Sequence, residues 1–156
     1  MKYIIGIGTN IGNRKENIEQ ALQALALVPQ TKVLRASGIY ETAPVGYADQ
    51  PNFYNACAEA ESALTPQEML GVCLGIEAGF GRIREFKNGP RILDLDLILA
   101  EHTALETPHL ILPHPRFRER RFVLMPLQEL FPTGNAYGVD FADDLQQTAG
   151  QAVQKV

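Results

Sequence analysis

The sequence predicts an α+β fold, ferredoxin-like, with a single mainly antiparallel sheet and helices packed on its faces. Three observations lead to this prediction. The predicted elements follow one another as strand, helix, strand, strand, helix, strand, and the two middle strands are close enough along the chain to pair. The 156 residues, of which 46% are hydrophobic, are enough for one core. We therefore expect residues 1–156 to form a single domain.

The first half of the chain alternates between strand and helix patterns. Tyr3–Ile7 predicts a strand, and Arg14–Leu27 predicts a helix because its apolar residues recur at helical spacing. Residues 31–42 are rich in β-branched and aromatic side chains, which predicts one long strand. A loop with prolines and glycine, residues 43–52, separates it from the alternating segment Phe53–Glu61. We expect these two strands to pair in antiparallel fashion.

The second half contains the strongest helix signal of the chain. Thr65-Pro66-Gln67-Glu68 is a capping box with proline at the first helical position, which predicts a helix from there to about Ala78. A strand is expected around Asp94–Leu99, and a short helix over Phe122–Leu130. The pattern then weakens, and residues 141–153 predict a helix or two.

Composition excludes several classes of protein. A net charge of −4 argues against general attraction to nucleic acid. We see no apolar run that approaches the length of a membrane span and no leader-like start, so the sequence does not favour a membrane or secreted protein. Cys57 and Cys73 have no metal or redox spacing, which predicts free thiols in a reducing cytoplasm. We expect a cytoplasmic monomer.

Positive charge is concentrated in two short segments. Eight of the 14 basic residues lie in them: Arg82, Arg84, Lys87, Arg91, Arg116, Arg118, Arg120 and Arg121. Each segment alone is compatible with a solvated basic face. Because they flank a strand with paired carboxylates, we favour a polyphosphate–magnesium site, which needs charges of both signs.

The paired carboxylates are the most informative feature of the chain. Leucine alternates with Asp94, Asp96 and Ile98 over residues 93–99. With a period of two, the four leucines are predicted on one face and both carboxylates on the other, about 6.6 Å apart. Two like charges against an apolar backing are costly unless a cation lies between them, so the pattern predicts a magnesium site.

Other residues suggest a flat ligand and a nucleotide. Phe53 and Asn55 share a strand face, and an aromatic ring beside an amide suits a heteroaromatic ring. The alternative is a core phenylalanine and a surface asparagine, and Phe122 poses the same choice. The turn Gly6–Gly12 is neither a dinucleotide fingerprint nor a P-loop, so a structural role is predicted for it. His114 could donate to a phosphate or merely occupy a turn.

Several motifs together resemble the hydroxymethyldihydropterin pyrophosphokinase family of folate biosynthesis. Residues 87–98, Lys-Asn-Gly-Pro-Arg-Ile-Leu-Asp-Leu-Asp-Leu-Ile, resemble the signature of that family over its whole length. Further matching segments follow in the order of the family: residues 8–12, 40–44, 50–55, Glu77 with residues 81–82, residues 113–116 and residues 119–124. The resemblance covers about Met1 to Pro132, and residues 131–156 match poorly.

The resemblance implies transfer of pyrophosphate from ATP to the hydroxymethyl group of 6-hydroxymethyl-7,8-dihydropterin, with release of AMP. By similarity, Asp94 and Asp96 hold two magnesium ions, and the catalytic residues are Arg82, Arg91, Asp94 and Asp96. The residues expected to bind ATP are Glu77, Arg82, Arg84, Arg91, Ile98, His114 and Arg120. The residues expected to bind the pterin are Thr42, Pro44, Val45, Gly46, Phe53, Asn55 and Phe122.

One departure from the family and two alternatives remain. Some members carry tryptophan before the Gly-Pro-Arg triplet, where this chain has Asn88, so the closing contacts of the expected lid at residues 82–88 are open. The chain could instead be a non-catalytic module that binds an anion, although such a module would not need paired carboxylates. It could also be another two-metal phosphoryl or nucleotidyl transferase. Phe53, Asn55 and Phe122 argue for a planar acceptor.

Overall fold

The structure is a computed structural model that describes residues 1–44, 46, 48–81 and 90–156. The first seven elements are β1 (Lys2–Thr9), α1 (Arg14–Ala26), β2 (Thr31–Ala36), β3 (Tyr40–Thr42), β4 (Phe53–Ser62), α2 (Pro66–Gly79) and β5 (Asp94–Ala100). They are followed by β6 (Leu105–Glu106), β7 (Ile111–Leu112), α3 (Arg121–Leu130), β8 (Asn135–Ala136), β9 (Val139–Asp140), α4 (Ala142–Gln147) and β10 (Val153–Lys155). The prediction of an α+β fold with a mainly antiparallel sheet is confirmed.

The main sheet has six strands in the order β10-β3-β4-β1-β5, with β2 also paired to β4. The prediction of a single strand over residues 31–42 is wrong, because β2 and β3 pair with different parts of β4. Ser37 lies at the break, where its hydroxyl accepts a hydrogen bond from the Cys57 amide at 2.9 Å. The amide of Gly38 donates instead to Glu129 of α3 at 2.7 Å. A side chain thus takes the place of a backbone partner at this point.

Each face of the sheet carries its own core. Tyr3, Ile5 and Ile7 of β1 pack against α1 and α2. Ile4 points to the opposite face, where Ile98 and residues of α3 and α4 form the second core. Alternation along the strands therefore decides which helices each residue meets.

A β-bulge in β5 turns one side chain to the face opposite the predicted one. Ile4 is opposite Leu99 and Ile5 is opposite Leu97, so Ile98 is an extra residue in β5. Leu93, Leu95 and Leu97 pack on the α1–α2 side as predicted, but Leu99 joins the core under α3. The prediction that all four leucines share one face is wrong for Leu99, because the bulge reverses the alternation.

The helices α1 and α2 each begin directly after a residue whose side chain caps the helix. The Asn13 side chain accepts from the Glu16 amide and begins α1. Thr65 and Glu68 form both bonds of the predicted capping box and begin α2. The predicted short helix is α3, which starts one residue earlier than expected and contains Pro126.

The last part of the chain forms one helix and a strand where a helix or two was predicted. Arg118 donates to the carbonyl oxygen of Asp140 and to the Asp144 carboxylate, both at 2.6 Å. Arg121 donates to the carbonyl oxygen of Leu145 at 2.6 Å. Two arginines of the second basic segment therefore attach α4 to the rest of the protein.

Both cysteines are buried free thiols, as predicted. Burial raises the pKa of Cys57 and of Cys73 to about 12, so both remain protonated near neutral pH. None of the helices in the described part of the chain has the length and apolar content needed to cross a membrane.

A buried carboxylate joins the C-terminal hairpin to the sheet. Glu59 of β4 is only 5% exposed. It accepts hydrogen bonds from Arg35 at 2.9 Å and from the Tyr137 hydroxyl. The Arg35 guanidinium also lies 4.8 Å from the centre of the Phe131 ring. These contacts satisfy a charge that would otherwise be costly to bury.

We expect Tyr137→Phe to lower the free energy of unfolding by about 1.5–3 kcal/mol, because a hydrogen bond to a buried charged group is lost. Urea denaturation measures this value. Tyr3→Phe is the matched control, since the Tyr3 hydroxyl donates to the neutral Leu64 carbonyl at 2.6 Å, and its cost should be about 0.5–1.5 kcal/mol. Equal losses in the two variants would contradict a special role for the Glu59 charge.

Candidate functional site

A row of three residues crosses the sheet on the side that faces α3. Gly8 of β1 is opposite Asn55 of β4 and opposite Asp94 of β5. With strands about 4.8 Å apart, Asn55 and Asp94 lie about 10 Å from each other with glycine between them. A Cβ at Gly8 would lie 3.1 Å from Asn55 Oδ1 and 4.0 Å from Asp94 Cβ. The absence of a side chain therefore leaves a flat floor between an amide and a carboxylate.

The turn role predicted for the glycine-rich segment applies to Gly12, which has a φ of 75° between β1 and α1, but not to Gly6 and Gly8. The first strand continues to Thr9 instead of ending at Ile7, so Gly6 and Gly8 lie within β1. Gly6 is opposite Asp96 in β5. Each glycine thus stands beside one of the two carboxylates.

Arg91 is held next to the first carboxylate. Its Nη1 donates to Asp94 Oδ2 at 3.1 Å, and both side chains are largely buried. Its Nε is buried and has no hydrogen-bond partner among the described residues. A buried donor without an acceptor is unfavourable, so the guanidinium is suited to a further anionic oxygen.

Asn10 fixes the segment that carries Arg91. The Asn10 side chain is only 1% exposed. Its Nδ2 donates to Gln50 Oε1 at 2.9 Å and to the Pro51 carbonyl at 3.0 Å. Its Oδ1 accepts from the Arg91 amide at 2.8 Å, and its own amide donates to the Arg91 carbonyl at 3.0 Å. One asparagine therefore links the end of β1, the 50–51 segment and the start of the paired-carboxylate segment.

A cavity of about 360 Å³ lies along the outer edge of β5. Its polar residues include Glu77, Asp96 and His114. Glu77 is 4% exposed, and its carboxylate accepts from the Leu95 amide at 2.8 Å. Leu70 and Leu74 of α2 form an apolar wall on the same helix as Glu77. The cavity thus combines an apolar side with ionisable groups.

His114 joins this cavity to the second basic segment. Its amide donates to the Ile98 carbonyl at 2.8 Å, and its Nδ1 accepts from the Arg116 amide at 3.1 Å. Burial lowers the pKa of His114, the positive charges of Arg120 and Arg116 lower it further, and Asp96 opposes them. The neutral ring with its proton on Nε2 is the form consistent with these contacts.

Four residues predicted to bind the pterin lie in two places. Thr42, Phe53 and Asn55 belong to the β3–β4 pair, and Phe122 lies at the start of α3. Thr42, opposite Phe53 across the β3–β4 pair, accepts a hydrogen bond from Asn55 Nδ2 at 3.3 Å. Thr42 and Asn55 are buried, whereas Phe53 is half-buried. Phe122 is half-buried at the start of α3, where the Arg120 guanidinium lies 5.7 Å from the centre of its ring.

The remaining predicted residues lie in the loop before β4, in β5 and outside the described ranges. Pro44 is half-buried and Gly46 is exposed with a φ of 88°, in the loop before β4. The Ile98 side chain is buried in the core under α3, so its backbone carbonyl provides its link to His114. Three predicted residues lie outside the described ranges: Val45, Arg82 and Arg84.

The donor chemistry fits magnesium even though few ligands come from the protein. Asp94 is half-buried and Asp96 is exposed. Within the ranges that the structure describes, no three side chains of histidine, cysteine, aspartate or glutamate form a metal cluster. Magnesium is commonly held by one or two carboxylates together with substrate phosphates and water. Two aspartates beside an arginine are consistent with that mode.

Sequence reasoning missed three features of the site. Gly8 and Asn10 act across the sheet and between loops, which local patterns do not reveal. Leu70 and Leu74 were missed as well, although their helical spacing relative to the predicted residue Glu77, which places all three on one face of α2, was present in the sequence.

Comparison with known proteins gives a consistent match. Residues 4–132 match the family model described as 7,8-dihydro-6-hydroxymethylpterin-pyrophosphokinase (HPPK). The chain is similar to the 2-amino-4-hydroxy-6-hydroxymethyldihydropteridine pyrophosphokinase of Methylorubrum extorquens, with 42% identity over 82% of this chain and 81% of the relative. It is 45% identical to the Bacillus subtilis protein of the same name, over 81% of this chain and 75% of the relative.

A solved structure supports the same fold. The crystal structure of wild-type Plasmodium falciparum HPPK-DHPS superimposes with a TM-score of 0.67 at 15% sequence identity. The match covers 96% of this chain but only 44% of that longer chain. At this level of identity the likeness concerns the fold.

We expect Asn10→Ala to lower the free energy of unfolding by about 2–4 kcal/mol, because the Arg91 amide, Gln50 and Pro51 each lose a buried partner. Urea denaturation gives the loss, and amide hydrogen exchange should become faster at Arg91. Asn10→Asp keeps the acceptor for the Arg91 amide but not the two donors, so Arg91 should remain protected in that variant. Unchanged protection of Arg91 in Asn10→Ala would contradict the linking role.

Proposed function

The chain belongs to the 7,8-dihydro-6-hydroxymethylpterin-pyrophosphokinase family, and we propose that it transfers pyrophosphate from ATP to the hydroxymethyl oxygen of 6-hydroxymethyl-7,8-dihydropterin. The products are AMP and the pterin diphosphate. The reaction serves folate biosynthesis. Such a transfer depends on aligning the two substrates and neutralising phosphate charge, with little covalent work by the protein.

One observation carries the proposal: the row Asn55–Gly8–Asp94 across three neighbouring strands. Asn55 can hydrogen-bond the polar edge of a pterin lying over Gly8. The hydroxymethyl group would then point toward Asp94, about 10 Å away across the sheet. Phe53 and Phe122 are the aromatic residues proposed to lie on the two sides of the ring. The acceptor oxygen would thus lie beside the carboxylate that is paired with Arg91.

We assign charge neutralisation to the carboxylates and the arginines. Asp94 and Asp96 would hold two magnesium ions, and these would supply positive charge that offsets the negative charge of the phosphates. Arg91 has a buried Nε that lacks a partner among the described residues, so it is suited to a phosphate oxygen of the transferred group. Arg82 and Arg84, which lie outside the described residues, are proposed for the same chain of phosphates.

We place the nucleotide in the cavity along β5. Leu70 and Leu74 offer an apolar wall to the purine ring, and Glu77 holds the edge of β5 in position through the Leu95 amide. The neutral His114 can donate from Nε2, and Arg120 adds positive charge nearby. Ile98 would contribute through its backbone. Asp96 borders the same cavity, so the phosphates would leave it toward the carboxylates.

The proposal also covers the fold class, the number of domains, the oligomeric state and the cellular location of the protein. The sheet order β5-β1-β4-β2 is consistent with a ferredoxin-like fold, and the antiparallel pairing agrees with it. We propose that residues 1–156 form one domain, in which residues 133–156 complete the core under α3. We further propose that the protein acts as a monomer in the cytoplasm.

The function is tested by incubating the protein with ATP, magnesium and the hydroxymethyl pterin, and by identifying the nucleotide product. We expect AMP, formed only when the pterin is present and lost on chelation of magnesium. ADP as the product would indicate a different phosphoryl transferase. Absence of turnover by a folded sample would favour a non-catalytic binding protein.

We expect Asp96→Asn to reduce kcat by about 100-fold or more, because one metal-binding carboxylate is removed from a site where charge neutralisation provides most of the catalysis. Asp96 is exposed, so the melting temperature should stay close to that of the wild type. Asp143→Asn is a control with the same charge change on exposed α4. Wild-type turnover by Asp96→Asn would disprove the metal assignment.

We expect Gly8→Ala to raise the pterin KM by about tenfold while the ATP KM changes little, because the new Cβ displaces Asn55 and fills the floor. Steady-state kinetics with one substrate saturating separates the two constants. Gly150→Ala is the matched control, since a Cβ there meets nothing within 4 Å. An unchanged pterin KM in folded Gly8→Ala would exclude a pterin above Gly8.

A further inference from the structure

We propose that Arg14, on the face of the sheet opposite the pterin, is a positioning residue for pterin binding. This inference rests on the proposed function. Its side chain holds β3, β4 and the end of the loop between them from behind. It would therefore set the pterin affinity without touching the pterin.

One guanidinium makes three contacts with this part of the sheet. Arg14 Nη1 lies 3.2 Å from Glu41 Oε2, in a partly exposed ion pair. The same nitrogen donates to the Asn52 carbonyl at 2.8 Å. The guanidinium carbon lies 3.9 Å from the centre of the Tyr54 ring, close enough for a cation–π contact.

The contacted positions alternate with the proposed pterin-binding positions. Glu41 precedes Thr42 in β3, and Tyr54 lies between Phe53 and Asn55 in β4. Because neighbouring side chains point to opposite faces, a strand that binds ligand on one face can be held from the other. Glu41 is also opposite Tyr54, and Thr42 is opposite Phe53. Arg14 thus spans the strand pair directly behind the proposed ring-binding residues.

The position of Arg14 in its helix is unfavourable on local grounds. Arg14 is the first residue of α1, directly after the cap Asn13. A positive charge near the N-terminus of a helix is disfavoured by the helix dipole. A residue whose charge is unfavourable for its own helix needs stabilising contacts elsewhere in the fold. The three contacts with β3, Asn52 and Tyr54 supply that gain.

The discriminating variant is Arg14→Met, which keeps an apolar stem but removes the charge and both hydrogen bonds. We expect its pterin KM to rise about five- to tenfold, with kcat and the ATP KM within about twofold of the wild type. Amide exchange should become faster at residues 52–55. Lys15→Met is the matched control, because it removes the same charge from an exposed position in the same turn. It should change none of these values.

Arg14→Lys separates positioning from charge alone. Lysine can restore the ion pair with Glu41, but its compact ammonium cannot at the same time contact the Tyr54 ring as the broader guanidinium does. We expect a pterin KM between those of the wild type and Arg14→Met.

The outcomes distinguish this inference from the proposed function. If the wild type forms no AMP from ATP and the pterin, the proposed function fails, and this inference fails with it. If the wild type turns over and folded Arg14→Met has an unchanged pterin KM, only the role of Arg14 is overturned. Equal increases in the KM of ATP and pterin would also overturn it, because they would indicate a general structural loss.

Discussion

The pairing of β1 with β4 on one side and β5 on the other is the constraint on which the site depends. Gly8 brings Asn55 and Asp94 into one row, and Gly6 does the same for Cys57 and Asp96. A slip of one residue would turn every side chain of a strand to the other face. The buried Tyr3, which packs between the sheet and the helices on the opposite face, opposes such a slip. The core on one face therefore fixes which side chains lie on the other.

The position of β5 at the edge of the sheet explains how buried and reactive groups coexist in one strand. An edge strand has backbone groups without a neighbouring strand, and these need other partners. Glu77 accepts from the Leu95 amide, and the His114 amide donates to the Ile98 carbonyl. Both side chains also border the cavity at this edge. The groups that complete the edge strand thus also line the cavity beside it.

Local sequence patterns were sufficient for the first three helices, for most strands of the central sheet and for the position of the two carboxylates in β5. The period of two placed Asp94 and Asp96 together because side-chain alternation is a local property of strands. The capping box located the start of α2 for the same reason. The outlying segments required long-range information. Leu99 lies on the face opposite the predicted one because of a bulge in the pairing of β5 with β1. Arg118 donates to residues of the C-terminal segment. Neither partner is close in the sequence, so composition and spacing could not identify them.

Asn10 shows the same limit within the site. An asparagine after a strand suggests a local turn, whereas its side chain links residues 40 and 81 positions away. The family resemblance supplied Phe53 and Phe122 as the proposed ring-binding residues but gave no account of how the strand that carries Phe53 is held. In the structure, Asn10 contacts Gln50 and Pro51 just before β4, and Arg14 contacts Asn52 and Tyr54 on either side of Phe53.

The electrostatics of Arg91 and Asp94 connect stability with binding. A half-buried carboxylate next to a second carboxylate would be unfavourable alone, and the guanidinium at 3.1 Å offsets that repulsion. Because only part of the guanidinium is used in this pair, the buried Nε retains its capacity to bind an anion. The Asn10 bonds to the Arg91 backbone limit how far the segment can move. The protein thus holds its positive charge beside the acidic pair before any phosphate is bound, which reduces the reorganisation that binding would otherwise require.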